Sequence, residues 1–277
     1  MRDLAGKVAV VTGAASGLGR ALALRCAGER MHLVLADVDE RALEETARSA
    51  GGPGADSLRV KCDVSRPEDV EALAERTWER FGSAGLLFNN AGVATAGPAW
   101  TATLEDWRWV LGVNLMGVIH GIRSFVPRML RQGSEGHVVN TASASGLLSV
   151  PGQSVYCVSK HAVVTLSECL HHDLRAANAA IGVSVLCPAY FNTGIADSAR
   201  NRPAELAPTN PLAAQYEERM RRAVRSGKLS AEDVAMAALE AVKSGRFYVL
   251  THPRIKPAVE ARMKDILEER TPTNPMP

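Results

Sequence analysis

The sequence predicts an α/β protein, a single doubly wound domain in which helices cover both faces of a parallel seven-stranded sheet. Three observations carry that expectation. Short apolar runs of the kind buried on both faces recur along the chain, beginning with Lys-Val-Ala-Val-Val-Thr at 7–12. Stretches of helical period alternate with these runs almost to the end. No internal repeat interrupts the alternation.

Taken in order, the first strand runs into a glycine-rich turn, Gly13-Ala-Ala-Ser-Gly-Leu-Gly19, and a helix over 18–28. A second strand at 32–37 finishes on Asp37, followed by a polar helix at 39–49 and a loop at 51–56. Strand three, 58–62, leads through Asp63 and Val64 to a helix at 67–81. Strand four, 86–89, opens into Asn90-Ala-Gly92. Residues 104–130 read as one long helix that Gly112 and Gly117 thin, with Pro127 near its end. A glycine followed by β-branched residues marks strand five at 136–141. Pro151 and Gly152 then break the chain, and Ser154 is the expected N-cap of a helix over 155–177. Strand six is 181–187, and strand seven, 246–250, comes after a helix at 231–242.

Two stretches stand outside the alternation. The connection 191–229 carries Pro203, Pro208 and Pro211, is expected to hold a helix near 213–225, and has the length of a substrate loop or lid. Its basic residues Arg219, Arg221, Arg222, Arg225 and Lys228 are expected to form a solvated helix face. The domain therefore covers 1–255. The tail, 256–277, is expected to be helical to about residue 270 and then disordered and Pro-rich.

With 46% hydrophobic residues in 277, the chain has ample material for a core. A net charge of +2 implies no general attraction for nucleic acid or a membrane surface. The run 138–159 is uncharged, but its serines, Asn140, Pro151 and Gly152 argue against a membrane span. Five cysteines without a CxxC pair fit reduced thiols in a cytoplasmic protein, and no signal peptide is evident. The seven histidines show no metal-ligand spacing, so no metal is expected.

The chemistry concentrates in Ser143, Tyr156 and Lys160. Tyr156 and Lys160 are four apart on one helix and share a face. A phenol beside an ammonium ion loses its proton more easily. Moving it from about 10 to near 7 takes about 4 kcal/mol. Lys160, a hydroxyl donor such as Ser143 and a cationic cofactor ring are expected to supply that together. Taken alone, Tyr-x-x-x-Lys is more often an aromatic at the core edge and a solvated charge.

Gly13, Gly17 and Gly19 lie where backbone N–H groups and a helix dipole can hold a pyrophosphate. The spacing is G-x-x-x-G-x-G rather than G-x-G-x-x-G. Asp37, eighteen residues past Gly19, can accept from both ribose hydroxyls and would repel a 2′-phosphate, so NAD is favoured over NADP. The competing job for Asp37 is to cap the next helix, which Asp39 could also do.

In combination these motifs resemble the short-chain dehydrogenase/reductase family over roughly residues 6–251. They are Thr12-Gly-Ala-Ala-Ser-Gly-Leu-Gly19, Asp63-Val64, Asn89-Asn-Ala-Gly92, Asn114, Ser143 and Tyr156-Cys-Val-Ser-Lys160. The resemblance implies a Rossmann-type domain with Asn114, Ser143, Tyr156 and Lys160 as catalytic residues. Tyr156 would be the acid/base, Ser143 would hydrogen-bond the reacting oxygen, Lys160 would hold the nicotinamide ribose and Asn114 a relay water. It further implies cofactor contacts at Gly13, Ser16, Gly17, Leu18, Gly19, Asp37, Asp63, Val64, Asn90, Ala91, Gly92, Pro188, Phe191 and Thr193. Assembly as a homotetramer or dimer through the helices at 104–130 and 155–177 is likewise implied by resemblance.

The chain departs from the family in Pro188-Ala-Tyr-Phe-Asn-Thr193, where Pro-Gly-x-Val-x-Thr is usual. Tyr190 and Phe191 add bulk there, and with Leu147, Leu148, Val150 and Trp100 they suggest an apolar pocket. The expected substrate is a hydrophobic secondary alcohol or its ketone. The rival readings are an NADP-dependent carbonyl reductase, with Asp37 as a cap, and a non-catalytic dinucleotide-sensing protein.

Overall fold

A computed structural model of the chain describes residues 1–51, 56–206 and 213–276. Most of the loop expected at 51–56, with Pro208 and Pro211 of the long connection and the last residue, lies outside the described residues. The elements are β1 (Val8–Thr12), α1 (Gly17–Gly28), β2 (His32–Asp37), α2 (Glu40–Ala50), β3 (Ser57–Lys61), α3 (Pro67–Phe81) and β4 (Leu86–Asn89). They continue with α4 (Leu104–Leu111), α5 (Gly117–Gln132), β5 (Gly136–Thr141), α6 (Ser154–Ala176), β6 (Ile181–Leu186), α7 (Ala213–Arg225), α8 (Ala231–Ser244), β7 (Tyr248–Val249) and α9 (Lys256–Leu267).

The seven strands form one sheet in the order β3-β2-β1-β4-β5-β6-β7, every pair parallel. The central strands β1, β4 and β5 are buried on both faces, which is why they read as apolar runs. Leu22 of α1, Leu43 of α2 and Val234 of α8 pack on one face. Leu73 of α3, Phe125 of α5 and Leu174 of α6 pack on the other. The order reverses between β1 and β4, and a parallel sheet opens a crevice beyond its carboxyl ends at such a point.

The long helix expected at 104–130 is not continuous. A π-helical turn at Gly112–Met116 separates α4 from α5 and carries Asn114. Gly117 follows because a Cβ there would lie 2.7 Å from Val64 Cγ2, so the glycine gives that side chain its room. The stretch Leu104–Gln132 is apolar and long enough to cross a membrane, but 56% of its most apolar window is buried inside the fold, as in a core helix.

Two further expectations differ from the structure. Ser154 does not cap α6; Gln153 occupies that position, and Ser154 Oγ is buried without a partner among the described residues. β7 is two residues long, pairing only with the end of β6 at the sheet edge. Beyond α9, the buried Asp265 pairs with Arg270 at 3.2 Å and accepts from Thr273 N at 2.8 Å. Asp39 caps α2 by accepting from Ala42 N at 3.0 Å. That assigns the cap away from Asp37.

One buried group ties stability to pH. His137 in β5 meets Ser184 Oγ through Nε2 at 2.8 Å, and burial, with the N-terminal ammonium, lowers its pKa from 6.5 to about 4, against the pull of Glu135. The unfolded chain binds this proton below pH 6.5 and the folded chain only near pH 4. The stability is therefore complete above pH 6.5 and is lost as pH falls toward 4. His137→Gln is expected to shrink the difference in unfolding free energy between pH 7 and pH 5 by about 2 kcal/mol, read by urea denaturation at both values.

Candidate active site

The residues singled out from the sequence converge on one cavity of about 480 Å³ at the carboxyl ends of the strands. Its floor is a knot of hydrogen bonds across the crevice. Thr12 Oγ1 donates to Phe88 O and accepts from the backbone N–H of Asn90 and Ala91 at 2.9 and 3.1 Å. Asn90 Nδ2 donates to Thr12 O, and Thr141 Oγ1 donates to Asn90 Oδ1. β1, β4 and β5 are thereby tied together where their side chains leave the sheet.

Above the knot, Gly13 adopts φ +67°, and a Cβ there would lie 2.8 Å from Ala91 Cα. Gly19 approaches Gly13 O so closely that a Cβ would collide with it. Ser16 stands at the start of α1 without a side-chain cap bond, and Gly17 turns at φ +51°. The turn thus presents the first N–H groups of α1 to the cavity, an arrangement that fits a pyrophosphate. Asp37 faces the same space with Oδ2 on Ala15 N at 2.9 Å and Oδ1 on Asp39 N at 3.1 Å. Burial raises its pKa, while these N–H donors oppose the rise. Each carboxylate oxygen retains a lone pair for a hydroxyl donor.

Asp63 and Val64 line the cavity next to Asp37. Asp63 Oδ1 accepts from Ser65 N and Oγ, and His120 Nδ1 lies 2.9 Å from Val64 O, so the backbone here is fixed from both sides. Gly17, Leu18, Gly92, Pro188, Phe191 and Thr193 also line the wall.

Ser143 follows β5. Its Oγ donates to Pro188 O at 3.3 Å and accepts from Ser145 N at 3.1 Å. Tyr156 and Lys160 face the cavity from α6. Lys160 is 3% exposed and donates to Thr141 O at 2.8 Å. Desolvation lowers its pKa to about 8. Its Nζ lies 5.8 Å from the Tyr156 ring centroid.

Without a bound cationic group the phenol does not reach a low pKa. Burial pushes Tyr156 up to about 12, and its interaction with the Ser143 side chain lowers it only in part. The protein's own groups therefore keep Tyr156 protonated, because desolvation outweighs the one hydrogen bond. A lower value requires positive charge from a bound group.

Asn114 does not line the cavity. It lies one layer behind, 0% exposed, with Oδ1 accepting from Val93 N at 2.8 Å and Nδ2 donating to Val93 O and Ser159 Oγ. Ser159 Oγ in turn donates to Tyr156 O at 2.7 Å. A Cβ on Gly92 would sit 3.5 Å from Asn114 Oδ1 and 3.6 Å from Lys160 Nζ, so the missing side chain leaves a gap between the two.

Two residues expected in the pocket are elsewhere. Trp100 is 86% exposed, and Leu147 packs with Val163 and Val185 on the far side of its turn. Leu148, Val150 and Tyr190 do line the cavity. The sequence reading missed Trp109, Met220, Gln153 and Met276, which line it as well. For Gln153 a signal existed, since it lies one turn before Tyr156 on the same face. The others arrive from distant segments. The basic face of α7 is largely exposed, with Arg221 paired to Asp197 and Glu218, while Met220 and Val224 turn inward. Among the described residues no cluster of metal-ligating side chains occurs.

Residues 7–204 match the family model described as short chain dehydrogenase. The chain belongs to the short-chain dehydrogenase/reductase family. A crystal structure of a family member from Burkholderia phymatum in complex with NAD is 51% identical, with 100% of each chain covered and a TM-score of 0.96. A protein of Lactiplantibacillus plantarum named CLA biosynthesis dehydrogenase/reductase is 34% identical over 98% of this chain and 97% of its own. The 1-deoxy-11-beta-hydroxypentalenate dehydrogenase of Streptomyces exfoliatus is 35% identical over 94% of this chain and 88% of its own. The protein is an oxidoreductase of this family, and its seven-stranded parallel sheet is the family's fold.

Gly13→Ala puts a side chain at positive φ against the Ala91 backbone. It is expected to destabilise the protein by about 1–3 kcal/mol, seen as a lower denaturation midpoint at unchanged m-value.

Proposed function

We propose that this protein transfers hydride between NAD and a hydrophobic secondary alcohol or its ketone, with Tyr156 as general acid/base. The observation that carries the proposal is that Ser143, Tyr156 and Lys160 share a cavity wall with the glycine turn and Asp37. NAD as cofactor is supported by the acid at Asp37, by its freedom from capping α2, and by the NAD-bound relative. An apolar substrate is supported by Leu148, Val150, Trp109, Met220 and Val224 in the wall.

Bound NAD accepts a hydride from the carbinol carbon and carries positive charge on its nicotinamide ring. Gly13, Ser16, Gly17, Leu18 and Gly19 hold the pyrophosphate, Asp37 the adenosine ribose, and Asp63 and Val64 the adenine. Asn90, Ala91 and Gly92 support the cleft, and Pro188, Phe191 and Thr193 hold the carboxamide end. Ser143 Oγ donates a hydrogen bond to the substrate oxygen. Tyr156 Oη takes the alcohol proton in oxidation and returns it in reduction, a step worth about 10²–10⁴ in rate. Lys160 directs its remaining N–H donors at the nicotinamide ribose and, charged, favours the phenolate. Asn114 holds Val93 and Ser159 in place. Its amide is committed to them, so the side chain is a positioning group.

Assembly as a homo-oligomer is supported by exposed Leu104, Met116 and Leu130 along α4–α5 and Val158 on α6. Free thiols at all five cysteines support a reducing, cytoplasmic setting.

The first test follows NADH formation from cyclic, aryl and steroid-like secondary alcohols, with NAD and NADP in parallel. Turnover with NAD that falls at least about a hundredfold in Tyr156→Phe is the expected result. Turnover with NADP alone would refute the role given to Asp37, and NADH binding without any turnover would favour a sensor. A second test titrates tyrosinate absorbance. NAD is expected to bring one phenol's titration to lower pH, and Tyr156→Phe to abolish that difference.

A further inference from the structure

The wall beside Tyr156 carries a polar pair that the proposed hydride transfer does not use. Gln153 lies three residues before Tyr156, about 5 Å along the helix axis. Its Nε2 is 2.7 Å from Tyr190 Oη, and both side chains line the cavity. Gln153 is 8% exposed, and Tyr190 packs in one small cluster with Tyr156, Ala94 and Met220.

The donor count decides what the pair can do. A glutamine amide offers two N–H donors and a phenol one O–H. Their mutual bond uses one, whichever atom of the amide meets Oη, so two donors remain. Neither side chain has another partner among the described residues. Burial raises the Tyr190 pKa, which keeps the phenol a donor at neutral pH. The surroundings are apolar, with Leu148, Val150 and Val224 nearby in the same wall. Donors left unmet in such a place are costly, so a wall of this kind suits a ligand that brings an acceptor.

We infer that Gln153 and Tyr190 form a second recognition point for the substrate. They bind a neutral acceptor oxygen, as in an ether, carbonyl or hydroxyl group, set about one helical turn along the wall from the reacting oxygen on an otherwise apolar body. The inference rests on the proposed hydride transfer, which is what places the reacting oxygen at Ser143 and Tyr156. It narrows the substrate class from any hydrophobic alcohol or ketone to one with a second oxygen at this spacing. A site built to hydrogen-bond a substrate group discriminates strongly against the analogue that lacks it.

The test compares methoxyethyl phenyl ketone with butyl phenyl ketone, in which a methylene replaces the ether oxygen. Binding to the protein with NADH is read by NADH fluorescence, and turnover by NADH absorbance, for wild type, Gln153→Met and Tyr190→Phe. Wild type is expected to bind the ether ketone at least about tenfold more tightly. In each variant the ratio is expected to fall toward one. Because the ratio is taken within one protein, general damage to the fold or to cofactor affinity cancels. Equal binding of the two ketones by wild type overturns the inference. So does a preference that survives both substitutions, or binding of neither ketone. Turnover of both without preference removes this inference alone. A preference that tracks the pair without turnover of either ketone removes the hydride-transfer proposal and leaves the recognition point standing.

Discussion

Everything in this molecule depends on how closely two backbones approach where the strand order reverses. Gly13 lies against Ala91, Gly19 against Gly13, and Thr12 Oγ1 holds the N–H groups of Asn90 and Ala91. Side chains at these glycines would push β1 and β4 apart at their carboxyl ends. With the contact made, the start of α1, the end of β2 and the end of β5 face one space. The glycine turn is thus a packing device before it is a binding device. Both roles follow from the absence of a Cβ.

The site is built from polar groups that the fold has removed from water, and the sign of each pKa shift follows from that. Lys160 loses charge stabilisation and drops to about 8, while Tyr156 loses it in the opposite sense and rises to about 12. Both groups are driven toward their neutral forms. At neutral pH a lysine near 8 still carries its proton, so its charge favours the phenolate, and positive charge from a bound group would add to it. Behind them, Asn114 and Ser159 link the π turn to the first turn of α6 by hydrogen bonds. The interruption of the long helix is what brings Asn114 to that position. An uninterrupted α-helix would advance its later side chains at a different angle.

The outer wall obeys other rules. Met220 and Val224 of α7, and Pro275 and Met276 of the tail, reach the cavity from segments far from the catalytic residues in sequence. The segment before α7 is pinned to α4 by Arg202, whose guanidinium meets Asp106 at 2.7 Å with both side chains almost fully buried. It also lies 5.0 Å from the Trp109 ring centroid. Asp106 is at the same time the reciprocal partner of Thr103 in the cap of α4. One carboxylate therefore fixes the start of a helix and the anchoring of the segment that carries Arg202.

What the sequence determined by itself is what depends on near neighbours. Strands buried on both faces announce themselves as apolar runs, the glycine turn by its spacing, and Tyr156 and Lys160 by their one-turn separation. These marked the fold class, the sheet and many of the residues that line the cavity. What only the tertiary structure decided is what depends on distant segments meeting. Ser154 looked like a cap because the preceding Pro151 and Gly152 mark a start, but packing buried its hydroxyl and moved the boundary by one residue. Trp100 looked like a pocket residue because it is large and apolar, yet the short turn at Ala99–Thr101 holds it in solvent. The prolines of the tail give no sign that Thr273 N would meet Asp265. Local propensity is worth a few tenths to about one kcal/mol, so the path of the chain and the contacts of distant segments decide these positions.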